Sequence, residues 1–441
     1  MNPHPMKRIL LLLLPALLLG CPATEQATQS KASYSSANTP RWEPDNRVYD
    51  PNIRTVQLYQ GQYEQAFPVL YLGETRPLTL EFDELIPEDR RETDYSIDIV
   101  NCDANWNPST LLPIEFFEGF TQKRVDFYER SRFTKATYVH YWHQFPLENE
   151  FFKMSGNYLL KVFRNNDPRD VVITRRFVVA DRKLGLELKY LLNSRVDRIR
   201  MESFAFDLLT AGTPINDPAF DLTVTVLQNF RWDNALLLNR PRFFGDNRYE
   251  YTVRTNSDYL GGNEFRRLDL RSVRLFSEAV QDVQEGEELY EVELFADTPR
   301  PMNVFSSQRD RNGMYHIEVF DWPEFDTQAE YLWVHFKLKM PAPVESGEVY
   351  VFGALSDWQA LPDFQMEYRA DLGYYECFAL MKQGLYDFQY VVKRPDGSID
   401  DATLEGRHTE TENFYTLLVY YRSPSDRSHQ LIGFMPVNYY E

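Results

Sequence analysis

Two histidines three residues apart, His140 and His143 in Tyr138-Val139-His140-Tyr141-Trp142-His143, are the first candidates for chemistry in this 441-residue chain. On a helix that spacing sets both imidazoles on one face, where they could coordinate a metal ion; on a strand they point to opposite faces. No further ligand lies near them in sequence, so they read as structural histidines and no metal site is expected. The chain carries 66 Asp and Glu. A glycosidase-like carboxyl pair is therefore available in principle, but among so many acids some pair is close by chance. No Gly-x-Ser-x-Gly, His-Glu-x-x-His, phosphate loop or dinucleotide fingerprint occurs. Catalytic residues and cofactors are accordingly expected to be none. Beyond Cys21 the only cysteines are Cys102 and Cys377. They read as two buried thiols, with a disulfide the alternative in an oxidising compartment.

Cys21 carries a different chemistry. Lys7 and Arg8 precede an apolar run from Ile9 to Leu19, broken only by Pro15, and Gly20 and Cys21 follow. A basic head, an apolar stretch of that length and a small residue form a secretory signal segment, too short to span a bilayer comfortably. Leu18-Leu19-Gly20-Cys21 resembles a bacterial lipobox. That resemblance implies cleavage between Gly20 and Cys21 and acylation of the Cys21 sulfur and the new amino group. Several acyl chains anchor firmly where one binds only marginally. Loss of Lys7 and Arg8, with no acid, takes the formal charge from −19 to −21. Such an acidic body is a poor partner for nucleic acid, whose phosphates need a basic surface.

The elements that must position these residues are strands. Residues 21–48, rich in Ser, Thr, Ala, Gln and Pro, read as a flexible tether. From Tyr49 short runs alternate with period two: Leu78-Thr79-Leu80-Glu81-Phe82, Tyr95 to Ile99, and Tyr158 to Phe163 with its return, Val171 to Val179. Turns such as Asn165-Asn166-Asp167-Pro168 separate them. This is the pattern of antiparallel sandwiches. In a later strand Leu332, Val334, Phe336, Leu338 and Met340 share one face and Trp333, His335, Lys337 and Lys339 the other. Pro341, Pro343 and Gly347 then read as a linker. The expected fold class is all-β, with tandem immunoglobulin-like or early-set sandwiches in series. The expected order is a signal segment (1–20), the tether (21–48), an N-terminal sandwich (49–181), a middle sandwich (182–341) and a C-terminal early-set-like sandwich (342–441).

Two aromatic motifs stand out. Asn101-Cys102-Asp103-Ala104-Asn105-Trp106-Asn107-Pro108 places Trp106 beside turn-forming residues, the usual setting of a plug at the end of a sandwich core. Gly353-x-x-x-Asp357-Trp358, followed by Gly384-x-Tyr386-x-Phe388-x-Tyr390, resembles early-set modules of the glycogen-binding kind. In those modules aromatic faces stack on sugar rings, which makes Trp358 a candidate stacking residue; a core or loop anchor is the plainer reading. Arg175 and Arg176 fall near a strand end and read as a solvated pair at a sheet edge.

Together these segments resemble the plug protein of the type IX secretion system of Bacteroidetes-type bacteria. The resemblance rests on Asn52 to Gln57, Leu80 to Leu85, Cys102-Asp103-Ala104-Asn105-Trp106, Ser155 to Tyr158, Thr174-Arg175-Arg176-Phe177, Glu412 to Tyr415 and Leu431 to Gly433. Cys102, Asp103, Trp106, Arg175 and Arg176 are its fold-marking residues. The resemblance implies a non-catalytic partner of a very large outer-membrane β-barrel translocon, closing its periplasmic mouth when no cargo is engaged. With the anchor it implies an outer-membrane lipoprotein on the periplasmic face. The residues after Cys21 lack an acidic run of the surface-export kind, which favours that side. The runner-up is a surface glycan-binding lipoprotein built of the same modules, with carbohydrate on Trp358. A hydrolase using an unmarked carboxyl pair comes third.

Overall fold

Alternation sets the architecture. In the strand Leu78–Leu85, Leu78, Leu80 and Phe82 are fully buried on one side, while Glu81 and Asp83 point to the other. The structure is a computed structural model that describes residues 42–438, apart from 195–200, 211–214, 216, 246, 254–260, 301–304 and 409–410. No helix among them is long and apolar enough to cross a membrane. The chain is all-β, arranged as three sandwiches.

The first sandwich packs a sheet ordered Ile53–Gln60, Leu78–Leu85, Tyr138–Phe145 and Phe127–Arg130 on a second sheet. The second is ordered Arg47–Val48, Val171–Ala180, Gly156–Arg164, Tyr95–Cys102 and Lys123–Arg124. Val69–Tyr71 joins it parallel to Val171–Ala180. Leu80, Phe82, Ile97, Leu160 and Ile173 fill the space between, each such side chain contributing about 1.5–3 kcal/mol by leaving water. Phe82 and Tyr141 stack at 5.1 Å, with Tyr95 edge-on to both.

The expected tether ends earlier than 48. Arg47–Val48 is an edge strand on Val171–Ala180, and the Lys161 ammonium lies 5.2 Å from the Trp42 ring. Trp42 and Val48 give this stretch apolar surface to bury, which the Ser/Thr/Ala-rich segment before it lacks. Residues 1–41, including Gly20 and Cys21, lie outside the described residues.

The later sandwiches do not follow one another as expected. Leu222–Gln228 pairs along its whole length with Phe414–Tyr421, which in turn pairs with Gln430–Asn438. This sheet faces one formed by Gly185–Ser194, Met201–Leu209, Arg248–Val253 and Phe243–Gly245. The second sandwich is thus closed by the end of the chain, and residues 261–408 form a third sandwich inserted within it. There Tyr331–Lys339 pairs residue for residue with Tyr374–Lys382, and both sheets enclose one core. A division at 341 would cut that sheet in two. Gly347 is not a linker glycine: a Cβ there would sit 2.1 Å from the carbonyl oxygen of Lys393, so it marks close backbone packing.

His140 and His143 lie on the strand Tyr138–Phe145 and face opposite ways. His143 sides with Val139, Tyr141 and Phe145, toward the core of the first sandwich. Neither of its nitrogens has a hydrogen-bond partner among the described residues. Burial, with help from the Lys123 charge, pushes its pKa down to about 4 from 6.5. The folded protein therefore resists a proton that the unfolded chain accepts. Stability should be complete above pH 6.5 and fall as the pH drops toward 4, by at most about 3 kcal/mol. His143→Leu should flatten that slope in melting temperatures taken between pH 7 and pH 4.5. A variant with the wild-type slope would place the acid sensitivity elsewhere.

Candidate functional site

The residues that mark the resemblance converge on the surfaces where the sandwiches meet. Asp103 shapes the first of these junctions. Its carboxylate accepts the backbone N–H groups of Asn105 at 2.8 Å and Asn107 at 2.9 Å, an Asx turn. The turn holds Trp106 at a φ of 67°, a left-handed conformation that costs energy for a bulky residue. Trp106 is buried, but outside the core of the first sandwich. It packs edge-on against Trp232 of the second sandwich at 4.8 Å, in a cluster with Cys102, Leu227, Leu418 and Leu431. The expected core plug is therefore an inter-sandwich anchor.

Arg176 completes this junction. Its guanidinium lies 4.6 Å from the ring of Trp106 and 5.4 Å from that of Trp232. It also donates to the Pro44 carbonyl from Nε at 2.8 Å and from a terminal nitrogen at 2.6 Å. Burial pulls its pKa below the usual arginine value, and the nearby Asp45 opposes this. Across the same surface Tyr420 Oη donates to Asn157 Oδ1 at 2.7 Å, and Asn157 donates to the Asp103 carbonyl at 3.0 Å.

Arg175 points the other way, toward the third sandwich. It is buried, donates to Asp357 Oδ2 at 3.0 Å and approaches the Val56 carbonyl. The Asp357 carboxyl is raised by burial, with Arg175 opposing. The expectation of a solvated pair fails for both arginines. Their strand is interior: Arg176 lies on the face toward the second sandwich with Val178 and Ala180, and Arg175 lies on the inner face with Ile173 and Phe177, reaching Asp357 of the third sandwich.

A second contact between the first and third sandwiches is a buried ion pair. Lys382 Nζ lies 2.6 Å from Asp83 Oδ2, and each side chain is 1% exposed. Asp83 also accepts from Tyr331 Oη at 2.7 Å and from His140 Nδ1 at 2.8 Å. Lys382 donates further to the Asp326 carbonyl at 2.7 Å and sits 4.4 Å from the Tyr138 ring. Burial alone would raise the Asp83 carboxyl; the Lys382 charge and the His140 bond outweigh it and hold it below its ordinary value. Sequence reasoning missed this centre. A polar alternate face reads the same whether water or another domain covers it, and no local signal marks Asp83 or Lys382.

Where the chain enters and leaves the inserted sandwich, Asn413 ties the crossing segments. It donates to the Gly261 carbonyl at 3.0 Å and accepts from Asn229 Nδ2 at 2.8 Å. Asn229 Oδ1 in turn accepts the Phe414 amide at 2.9 Å.

Trp358 is no open platform. It packs edge-on to Phe265 at 5.8 Å and Phe352 at 5.7 Å, with the Arg231 guanidinium 5.1 Å from its ring. A Cβ on Gly313 would lie 2.3 Å from the indole, so the ring rests on bare backbone. The ring is half-buried, with Arg231 over one face. Cys102 and Cys377 are buried free thiols, each pushed up to about 12 by burial.

This architecture has relatives. A hypothetical protein from Parabacteroides merdae, known from a crystal structure, superposes with a TM-score of 0.84 at 28% identity, over 89% of this chain and 99% of its own. Native alpha-2-macroglobulin from Escherichia coli covers 45% of this chain and 96% of its own, at 10% identity and a TM-score of 0.14, too low for a shared fold. Comparison with curated proteins gave no match. Residues 53–181 match the family described as type 9 secretion system plug protein 1st domain. The first sandwich, with Cys102, Asp103, Trp106, Arg175 and Arg176, is a first domain of the type 9 secretion system plug family.

Proposed function

We propose that this chain is the non-catalytic plug of a type IX secretion translocon, sealing the periplasmic mouth of a giant outer-membrane β-barrel when no cargo is engaged. The observation that carries this reading is the match of residues 53–181 to the plug first domain. The junctions support it. A wide barrel holds water and leaks when open, and a stopper must not deform under load. Three sandwiches joined through buried ion pairs and an aromatic cage form a stiff body, because packed interiors yield little. Acylation at Cys21 would hold it on the inner face of the outer membrane and raise its local concentration at the barrel. Cargo would displace it by competing for the same contacts.

The test is a mild-detergent pull-down of the tagged protein from outer membranes, with mass spectrometry of its partners. A stoichiometric, very large β-barrel protein is expected, and a deletion strain should leak small solutes through that barrel. Retention on a polysaccharide column with no barrel partner would overturn the proposal in favour of glycan binding.

A further inference from the structure

Next to the Asp83–Lys382 pair, on the open side of the same junction, three ligand-bearing side chains converge. They are Glu81 and His140 of the first sandwich and Asp326 of the third, in the short helix Phe325–Gln328. One carboxylate oxygen from each acid and one imidazole nitrogen all lie within 4.8 Å of one another. Glu81 and His140 share the outer face of neighbouring strands, since Glu81 pairs in register with Trp142 and Asp83 with His140.

The imidazole sets this group apart from an ordinary acidic cluster. His140 is 7% exposed. Its Nδ1 faces the Asp83 carboxylate, which can only accept, so Nδ1 carries a proton and Nε2 is the nitrogen left for the cleft. No hydrogen bond is made by Nε2 among the described residues, and the ring lines the cleft shared with Glu81 and Asp326. One imidazole nitrogen and two carboxylates thus meet at the cleft. Tyr59 Oη bonds Glu81 at 2.7 Å. The Lys382 ammonium is committed to Asp83 and to the Asp326 backbone carbonyl rather than to its carboxylate. A carboxylate holding the far nitrogen of a histidine is also the arrangement that orients metal-ligating imidazoles and raises their basicity.

We propose that Glu81, His140 and Asp326 form a site for a divalent transition-metal ion of the zinc class, which clamps the third sandwich onto the first. One nitrogen and two carboxylate oxygens suit such an ion, with water completing a tetrahedron. Zinc bonds of about 2.1 Å place tetrahedral ligand atoms about 3.4 Å apart, so the three side chains need only close by rotation. Glu81, with three side-chain torsions, and Asp326, on a short helix, can make that movement. The consequence is mechanical: metal would add a cross-domain bond beside the existing ion pair.

The experiment uses the full chain, purified in mild detergent and stripped with a chelator, titrated calorimetrically with Zn²⁺ alone. One site per chain is expected, together with a higher melting temperature on loading. Glu81→Gln and Asp326→Asn should each weaken binding at least about ten-fold. Their metal-free forms should melt no lower than wild type, because the amides remove crowded negative charge and keep the shape. This separates lost binding from lost folding. His335→Ala, at the half-buried His335–Glu293–Glu376 cluster on another sheet face, should bind as wild type does. Absence of Zn²⁺ uptake by the stripped wild type, or undiminished uptake by both amide variants, would overturn the assignment and leave protons to neutralise the cluster.

Discussion

Lys382→Met should destabilise the protein by about 3–5 kcal/mol, the cost of leaving a buried charge without its partner. Asp83 would keep only His140 and Tyr331 as donors, and no water reaches a group 1% exposed. The effect belongs to the pair. Asp83→Asn alone should cost a similar amount, whereas Asp83→Asn with Lys382→Met should recover most of the loss, because both charges are gone. Urea unfolding of the four proteins gives the coupling energy directly. Simple additivity would mean that the two residues act independently. Acid adds a signature with a definite sign. The folded-state pKa of Asp83 lies below its ordinary 3.8, so its contribution is complete at neutral pH. It is lost as the pH falls through the folded value. The gap between wild type and Asp83→Asn should therefore persist through the mildly acidic range and close only below pH 3.8.

Trp106→Ala should cost about 3–5 kcal/mol, as large buried aromatics do, and the loss should be local. The indole contributes to the cluster between the first and second sandwiches, not to the core that holds the first together. Without it Trp232 loses its edge-on partner and Arg176 loses the nearer of its two aromatic rings. Hydrogen exchange should rise at Val171–Ala180 and Phe414–Tyr421, the strands meeting at that surface, and stay low in Leu78–Leu85 and Tyr138–Phe145. A uniform rise across the first sandwich would show that Trp106 supports its core after all. Under the function proposed above, cells carrying the variant should leak small solutes as a deletion strain would. Arg176→Lys should act in the same direction more mildly, since an ammonium cannot reproduce the planar stack and the fork onto Pro44.

These centres were unequally legible. The strands could be read residue by residue, because a pleated strand with one buried side leaves a period-two record. Leu78, Leu80 and Phe82 carry it, as do Leu332, Val334, Phe336 and Leu338. The opposite faces of the two histidines follow from the same period. The motif around Trp106 was visible as a turn with an aromatic, and its role was misplaced by one interface. A buried indole looks the same in sequence whether it fills its own sandwich or the gap to the next. The arginine pair was misread for a related reason, since two adjacent strand residues touch opposite surfaces and here both are covered. Trp358 kept its outward resemblance to a stacking residue, but its neighbours come from Phe265, Gly313 and Arg231, positions no local window joins to it.

What the sequence by itself determined is the all-β class, the strand faces and the plug-like character of residues 53–181, since these depend on local pattern and on motifs close together in the chain. Only the tertiary structure decided that the third sandwich is inserted within the second, that Asp83 meets Lys382 across 299 residues, and that Glu81, His140 and Asp326 gather at one point. The physical reason is common to all three. Period two tells which way a side chain points, but not what lies there, and the partner of a polar face is chosen by long-range pairing that no local pattern records.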